Sequence, residues 1–161
     1  MVSLRPFRPD DAPVLLTLFR DTIRRVNCRD YSPAQIAAWA SDDIDPDAWA
    51  TRFAGRFAVV AEDEGRLAGF ADLEANGHVD RFYVSADYQG QGVGRALLAE
   101  VVAEARRLGL VRLFVEASIT ARPFFESQGF AVLAPQVVVC RGVEFVNDRM
   151  ERVLADPGDA D

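Results

Sequence analysis

The chain has 161 residues, half of them hydrophobic and 27% charged, with a formal net charge of −7. That balance fits one soluble domain with a sizeable core, and the acidic charge argues against nucleic acid as a partner. No stretch approaches the ~20 apolar residues of a membrane span, no signal peptide opens the chain, and Cys28 and Cys140 make neither a disulfide framework nor a metal site. The expectation is a cytoplasmic protein with no metal and no membrane contact.

Residues 2 to 8 read as a strand closed by Pro9. Asp10 or Asp11 can cap a helix carrying Leu16, Phe19, Ile23 and Val26 at helical spacing. Ser32-Pro33 and Asp45-Pro46 are two further helix starts, each a capping side chain followed by proline at the first helical position. Strand signals follow at 57 to 61 and 67 to 73, joined by an acidic turn. Asn76-Gly77 is a strong hairpin signal and leads into a strand over 78 to 84. A long helix then carries Val93, Leu97, Val101, Ala105 and Leu108 on one stripe, with Arg106 and Arg107 in its last turn and Gly109 at its end. Residues 111 to 117 read as a buried strand, 121 to 128 as a short helix ending at Gly129, and 130 to 140 and 143 to 150 as two strands around Arg141-Gly142. The reading is a single domain over 1–154 with an acidic tail over 155–161, in a mixed α/β order. The paired terminal strands could mediate a dimer, so monomer and homodimer both stay open.

The most informative segment is Gln89-Gly90-Gln91-Gly92-Val93-Gly94-Arg95, at the mouth of the long helix. Glycines there leave backbone N–H groups unscreened, and the helix dipole adds partial positive charge, which together make an anion cradle. A phosphate loop of the Gly-Lys-Ser/Thr type is excluded, since the chain has no lysine. A dinucleotide fingerprint fits poorly, because these glycines sit mid-chain and too few strand–helix–strand units follow.

Asp80-Arg81-Phe82-Tyr83-Val84 with the Gln-x-x-Gly-x-Gly pattern, and later Ala121-Arg122-Pro123-Phe124-Phe125-Glu126-Ser127-Gln128-Gly129-Phe130, resemble the two signatures of the GNAT superfamily of acyl-CoA-dependent N-acyltransferases. Asp30-Tyr31-Ser32-Pro33, Ala38-Trp39 and Cys140-Arg141-Gly142 resemble its YafP-like branch. The resemblance implies a central, mostly antiparallel sheet flanked by helices, with the fourth and fifth strands splayed apart. It implies acetyl-CoA in the gap, the pantetheine arm along Phe82, Tyr83 and Val84, and the pyrophosphate on Gln89, Gly90, Gln91, Gly92, Val93, Gly94 and Arg95. Ser118, Phe124 and Phe125 complete the implied cofactor wall.

The implied reaction is attack of an amine on the thioester. His78, the only histidine, matches a position where some relatives carry a glutamate base, and an ordinary pKa near ~6.5 suits it to that work. Asp80 is the other candidate, if burial raises its pKa. Strand alternation would put His78, Asp80, Phe82 and Val84 on one face and Val79, Arg81 and Tyr83 on the other. Many relatives carry a tyrosine acid where this chain has Phe125, which has no proton to give. That leaves Tyr83, Tyr31, water or no specific group to protonate the leaving thiolate. Tyr31 and Trp39 are candidates for the acceptor wall, and Trp49 for the core. The expected function is acetyl transfer to a small-molecule or protein amine, with a catalytically weak acyl-CoA-binding module as the alternative.

Overall fold

The structure is a computed structural model that describes residues 1–154. The chain runs β1 (Val2–Pro6), α1 (Ala12–Arg25), α2 (Pro33–Trp39), α3 (Pro46–Thr51), β2 (Phe57–Asp63), β3 (Arg66–Leu73) and β4 (Val79–Val84), then α4 (Val93–Arg107), β5 (Arg112–Ser118), α5 (Arg122–Ser127), β6 (Ala131–Cys140) and β7 (Val143–Val153). The expected acidic tail lies outside the described residues. No helix among the described residues is long and apolar enough to cross a membrane.

The local signals act as their chemistry requires. Ser32 and Gln35 form a reciprocal capping box at α2, and the Asp45 carboxylate accepts from Asp47 N–H at α3. Arg141 and Gly142 both adopt positive φ, 48° and 79°, and turn β6 into β7. Asp11 departs from expectation. Its carboxylate accepts from Arg5 at 2.8 and 2.9 Å and from Arg8 N–H at 2.8 Å, so α1 starts through a 3-10 turn without a side-chain cap. Leu108 is also out of the core, 45% exposed just past the end of α4.

Two sheets result, β1-β2-β3-β4 and β5-β7-β6, antiparallel throughout. The first sheet buries both faces, so its strands alternate between two cores. Val59, Ala61 and Ala71 pack with Leu97 and Val101 of α4; Val60 and Phe70 pack with Leu15 and Phe19 of α1 and Trp49 of α3.

The sheets touch at one end of β4 and β5 only. His78 and Phe114 form a lone parallel bridge, and Phe114 N–H donates to Gly77 O at 3.0 Å. Gly77 permits this approach: a Cβ there would stand 2.4 Å from Arg112 O. Further along, the strands part, and side chains serve their edge groups. Val84 O accepts from Gln89 Nε2 at 2.7 Å, and Ile119 N–H donates to the Tyr31 hydroxyl at 2.9 Å.

A bulge in β4 overturns the simple alternation. Leu73 pairs with Val79 and Ala71 with Phe82, so Asp80 and Arg81 together oppose Asp72. Val79 therefore shares the α4 side with Phe82 and Val84, while Arg81 and Tyr83 face α1 and α3. The fully buried Asp72 holds the bulge. It accepts from Arg81 N–H at 2.7 Å, from Arg81 Nε at 2.9 Å, and from Arg56 at 3.3 Å. The Arg81 guanidinium lies over the Phe53 and Trp49 rings, 3.8 and 4.6 Å from their centroids.

Removing one partner of a buried, hydrogen-bonded ion pair strands the other charge. Asp72→Ala is expected to cost about 3–5 kcal/mol in urea unfolding. A loss under about 1 kcal/mol, the range of an exposed pair, would show that Asp72 does not hold the bulge.

Candidate active site

The cradle is built as the glycine pattern requires. Gly90 and Gly92 take φ of 71° and 83°, and a Cβ on either would meet open space. Among the described residues no protein acceptor takes the N–H groups of residues 90–95; the first N–H used is that of Ala96, bonded to Gly92 O at 3.1 Å. Several donors thus converge at the positive end of a 15-residue helix. Gly94 has a further reason to be glycine. A Cβ there would press on the Phe124 ring at 3.2 Å, so Gly94 lets the aromatic wall of Phe82, Phe124 and Phe125 close against α4.

A cavity of about 360 Å³ runs from this cradle into the gap between β4 and β5. It brings together Phe82, Tyr83, Val84, Gln89, Gly90, Gly92, Val93, Gly94, Arg95, Ser118, Phe124 and Phe125 of the expected cofactor set. Gln91 is not on its wall; its amide donates to Asp87 O at 3.2 Å. The Ser118 hydroxyl accepts from Ala121 N–H at 3.0 Å and so shapes the turn into α5. Two further spaces adjoin on the α1–α2 side. One, of about 460 Å³, has Trp49, Arg52, Asp80, Arg81 and Arg141 on its wall; the other, of about 230 Å³, has Tyr31, Glu116, Phe145 and Asn147. Trp39 and Tyr83 line all three, which places them at the junction.

The titratable groups are not arranged as expected. Asp80 lines the cavity, and burial alone would raise its pKa. Hydrogen bonds from Arg56 at 2.6 Å and Arg52 at 2.8 Å outweigh burial and hold the carboxyl below its ordinary range. The proposed route to a basic Asp80 is therefore closed. His78 is set back from the cavity wall, its ring stacked on Phe114. Burial works against its charge, but hydrogen bonds to Glu116 and Glu74 prevail and raise its pKa. Glu116, which the sequence reading passed over as a catalytic group, does line the cavity. Its sequence signal was a carboxylate inside a mostly apolar strand.

Glu74, His78 and Asp80 each bring a donor atom within 4.8 Å of the others, a spacing a cation could use. Arg52 and Arg56 pair with Asp80, and Arg56 comes within 3.8 Å of Glu74, so two guanidinium groups already approach these carboxylates. Tyr83 lies at the junction, and the protein packed around its phenol pushes its pKa well up. Tyr31 is buried, and its hydroxyl is spent on two backbone groups, donating to Val146 O at 3.1 Å and accepting from Ile119 N–H. Only its ring reaches the acceptor side, packed on Trp39 and Phe145. Trp49 is core, with its indole N–H on Ala12 O at 2.9 Å.

Residues 27–152 match the model of the acetyltransferase (GNAT) domain. The chain belongs to the GNAT acetyltransferase family. The uncharacterized N-acetyltransferase YafP of Escherichia coli K12 is 34% identical over 146 residues, covering 91% of this chain and 92% of that protein. A GCN5-related N-acetyltransferase structure from Rhodopseudomonas palustris superposes with a TM-score of 0.91 at 34% identity, covering 94% of this chain and 95% of the other. YncA from Salmonella typhimurium, solved with acetyl-CoA, shares the GNAT fold at a TM-score of 0.72 and 23% identity, over 100% of this chain and 98% of its own.

An acidic side chain at the cradle mouth would repel an anion and force a strained φ on a non-glycine residue. Gly92→Asp is therefore expected to weaken acetyl-CoA binding by at least ~10-fold in calorimetric titration, with the fold retained by circular dichroism. Wild-type affinity in this variant would remove the cradle from the binding site.

Proposed function

We propose that this GNAT acetyltransferase uses acetyl-CoA to acetylate an amine of a small molecule. The observation that carries this is the pairing of unmatched N–H groups over residues 90–95 with a gap between β4 and β5, both opening on one cavity. A pyrophosphate suits the first, and an extended amide-bearing arm suits the strand edges of the second. Acetyl-CoA supplies a thioester carbonyl open to attack by an unprotonated amine.

The chain's residues have three jobs: to hold the donor, to orient the acceptor and to move protons. The cradle and the Phe82, Phe124 and Phe125 wall do the first. Trp39 and Tyr83, at the meeting of the three spaces, do the second. For the leaving thiolate, Phe125 offers no proton, whereas Tyr83 is a phenol that stands at the junction. This favours turnover over a binding-only role.

Small acceptors are favoured by the roof over that side. Gln35 Nε2 donates to Glu144 O at 2.9 Å and Arg141 to Ala38 O at 2.7 Å, tying the β6–β7 hairpin to α2. These ties hold α2 and the hairpin together beside the acceptor-side spaces, whose size suits a small amine.

The test is release of the coenzyme A thiol with a panel of small amines. Tyr83→Phe is expected to lower kcat by about 10–100-fold with acetyl-CoA affinity retained. An unchanged kcat would take Tyr83 out of the proton chemistry, and no thiol release with any amine would sink the enzymatic reading.

A further inference from the structure

Three side chains lie in a row where the two sheets meet. The His78 ring places Nε2 at 2.5 Å from a Glu116 oxygen and Nδ1 at 2.8 Å from a Glu74 oxygen. The imidazole is only 16% exposed and lies stacked on Phe114, 5.0 Å between centroids with planes 19° apart. Of the three, only Glu116 is on the cavity wall, while Glu74 is partly exposed on the other side of the ring. The order is cavity, carboxylate, imidazole, carboxylate.

The other charges around the ring are accounted for. Asp80 of β4 is held by Arg52 and Arg56, and Arg56 also approaches Glu74 at 3.8 Å. Arg112 of β5 lies over the Phe114 ring, and Arg149 of β7 is the cross-strand neighbour of Glu116 without a bond to it. Among the described residues that line the cavity of about 360 Å³, Glu116 is thus the carboxylate not bound to a guanidinium.

We propose that Glu116 accepts the proton of the acceptor's ammonium and hands it to Nε2 of His78, while Glu74 holds the imidazole in the tautomer able to receive it. In the working state His78 is neutral with its proton on Nδ1, donated to Glu74, and Nε2 is free to take the proton that Glu116 picks up; the 2.5 Å contact between Nε2 and Glu116 is the N–H···O bond of the imidazolium that results. The ammonium N–H bond breaks as an O–H bond forms on Glu116; that bond breaks as the Nε2–H bond forms. The free amine is left to attack, and the imidazolium rests between two carboxylates until solvent removes its proton. The raised pKa of His78 agrees with that end state. This relay rests on the acetyltransferase reading above.

The test is the pH dependence of kcat at saturating acetyl-CoA and one amine, so that the amine's own titration is common to all variants. The wild type is expected to show an acid limb with a midpoint above the ordinary histidine value of ~6.5. Glu116→Gln is expected to lose about 10²–10⁴ in kcat while binding acetyl-CoA normally. Glu74→Gln deprives the imidazolium of a partner, so the limb should move to lower pH with most of the plateau rate kept. His78→Gln should abolish the limb. Should Glu116→Gln fold poorly, Glu116→Asp, one carbon too short for the 2.5 Å contact, is expected to be comparably slow. A wild-type rate in the Glu116 variant, or a limb unmoved in Glu74→Gln, overturns the relay alone. Absence of any wild-type turnover overturns the relay and the enzymatic reading together.

Discussion

The structure depends on two strands that touch at one end only. β4 is bound along its length to β3, and β5 to β7, but β4 and β5 share a single bridge at His78 and Phe114. Buried backbone groups cannot be left unmatched without cost, so a split sheet must satisfy its torn edges some other way. Here Gln89 turns back onto Val84 O, and Tyr31 reaches across to Ile119 N–H. Both bonds keep the gap open, and both come from residues that the sequence alone would place at the ligand.

The bulge in β4 decides what faces that gap. One extra residue opposite Asp72 turns Arg81 toward α3 and sends Phe82 toward the cofactor wall. A buried arginine needs a carboxylate, and Asp72 supplies one that also takes the N–H freed by the bulge. Backbone geometry and charge neutralisation are here one interaction. It leaves Tyr83 at the cavity junction and Asp80 within reach of Arg52 and Arg56.

What the sequence made legible was local. The glycine pattern, the proline-marked helix starts and Asn76-Gly77 each act over a few residues, and each forms the element its chemistry implies. The site's proton chemistry was less legible, because its partners are far apart along the chain. Asp80 looked basic until Arg52 and Arg56, some 28 and 24 positions earlier, came onto its carboxylate. Period-2 alternation failed at Asp80 because a bulge leaves no mark in composition. Gly94 read as a phosphate residue and is equally a packing residue, since Phe124 presses on it from 30 positions away. Glu116 was passed over because its partner His78 joins it only when the sheets meet.

The central claim is that the cradle and the split edge form one site for acetyl-CoA. Backbone amide exchange with and without acetyl-CoA tests it residue by residue. The account predicts new protection over residues 90–95 together with the facing ends of β4 and β5, and little change along β1 or the middle of β7. Protection confined to another part of the molecule, or none at saturating acetyl-CoA, would contradict it.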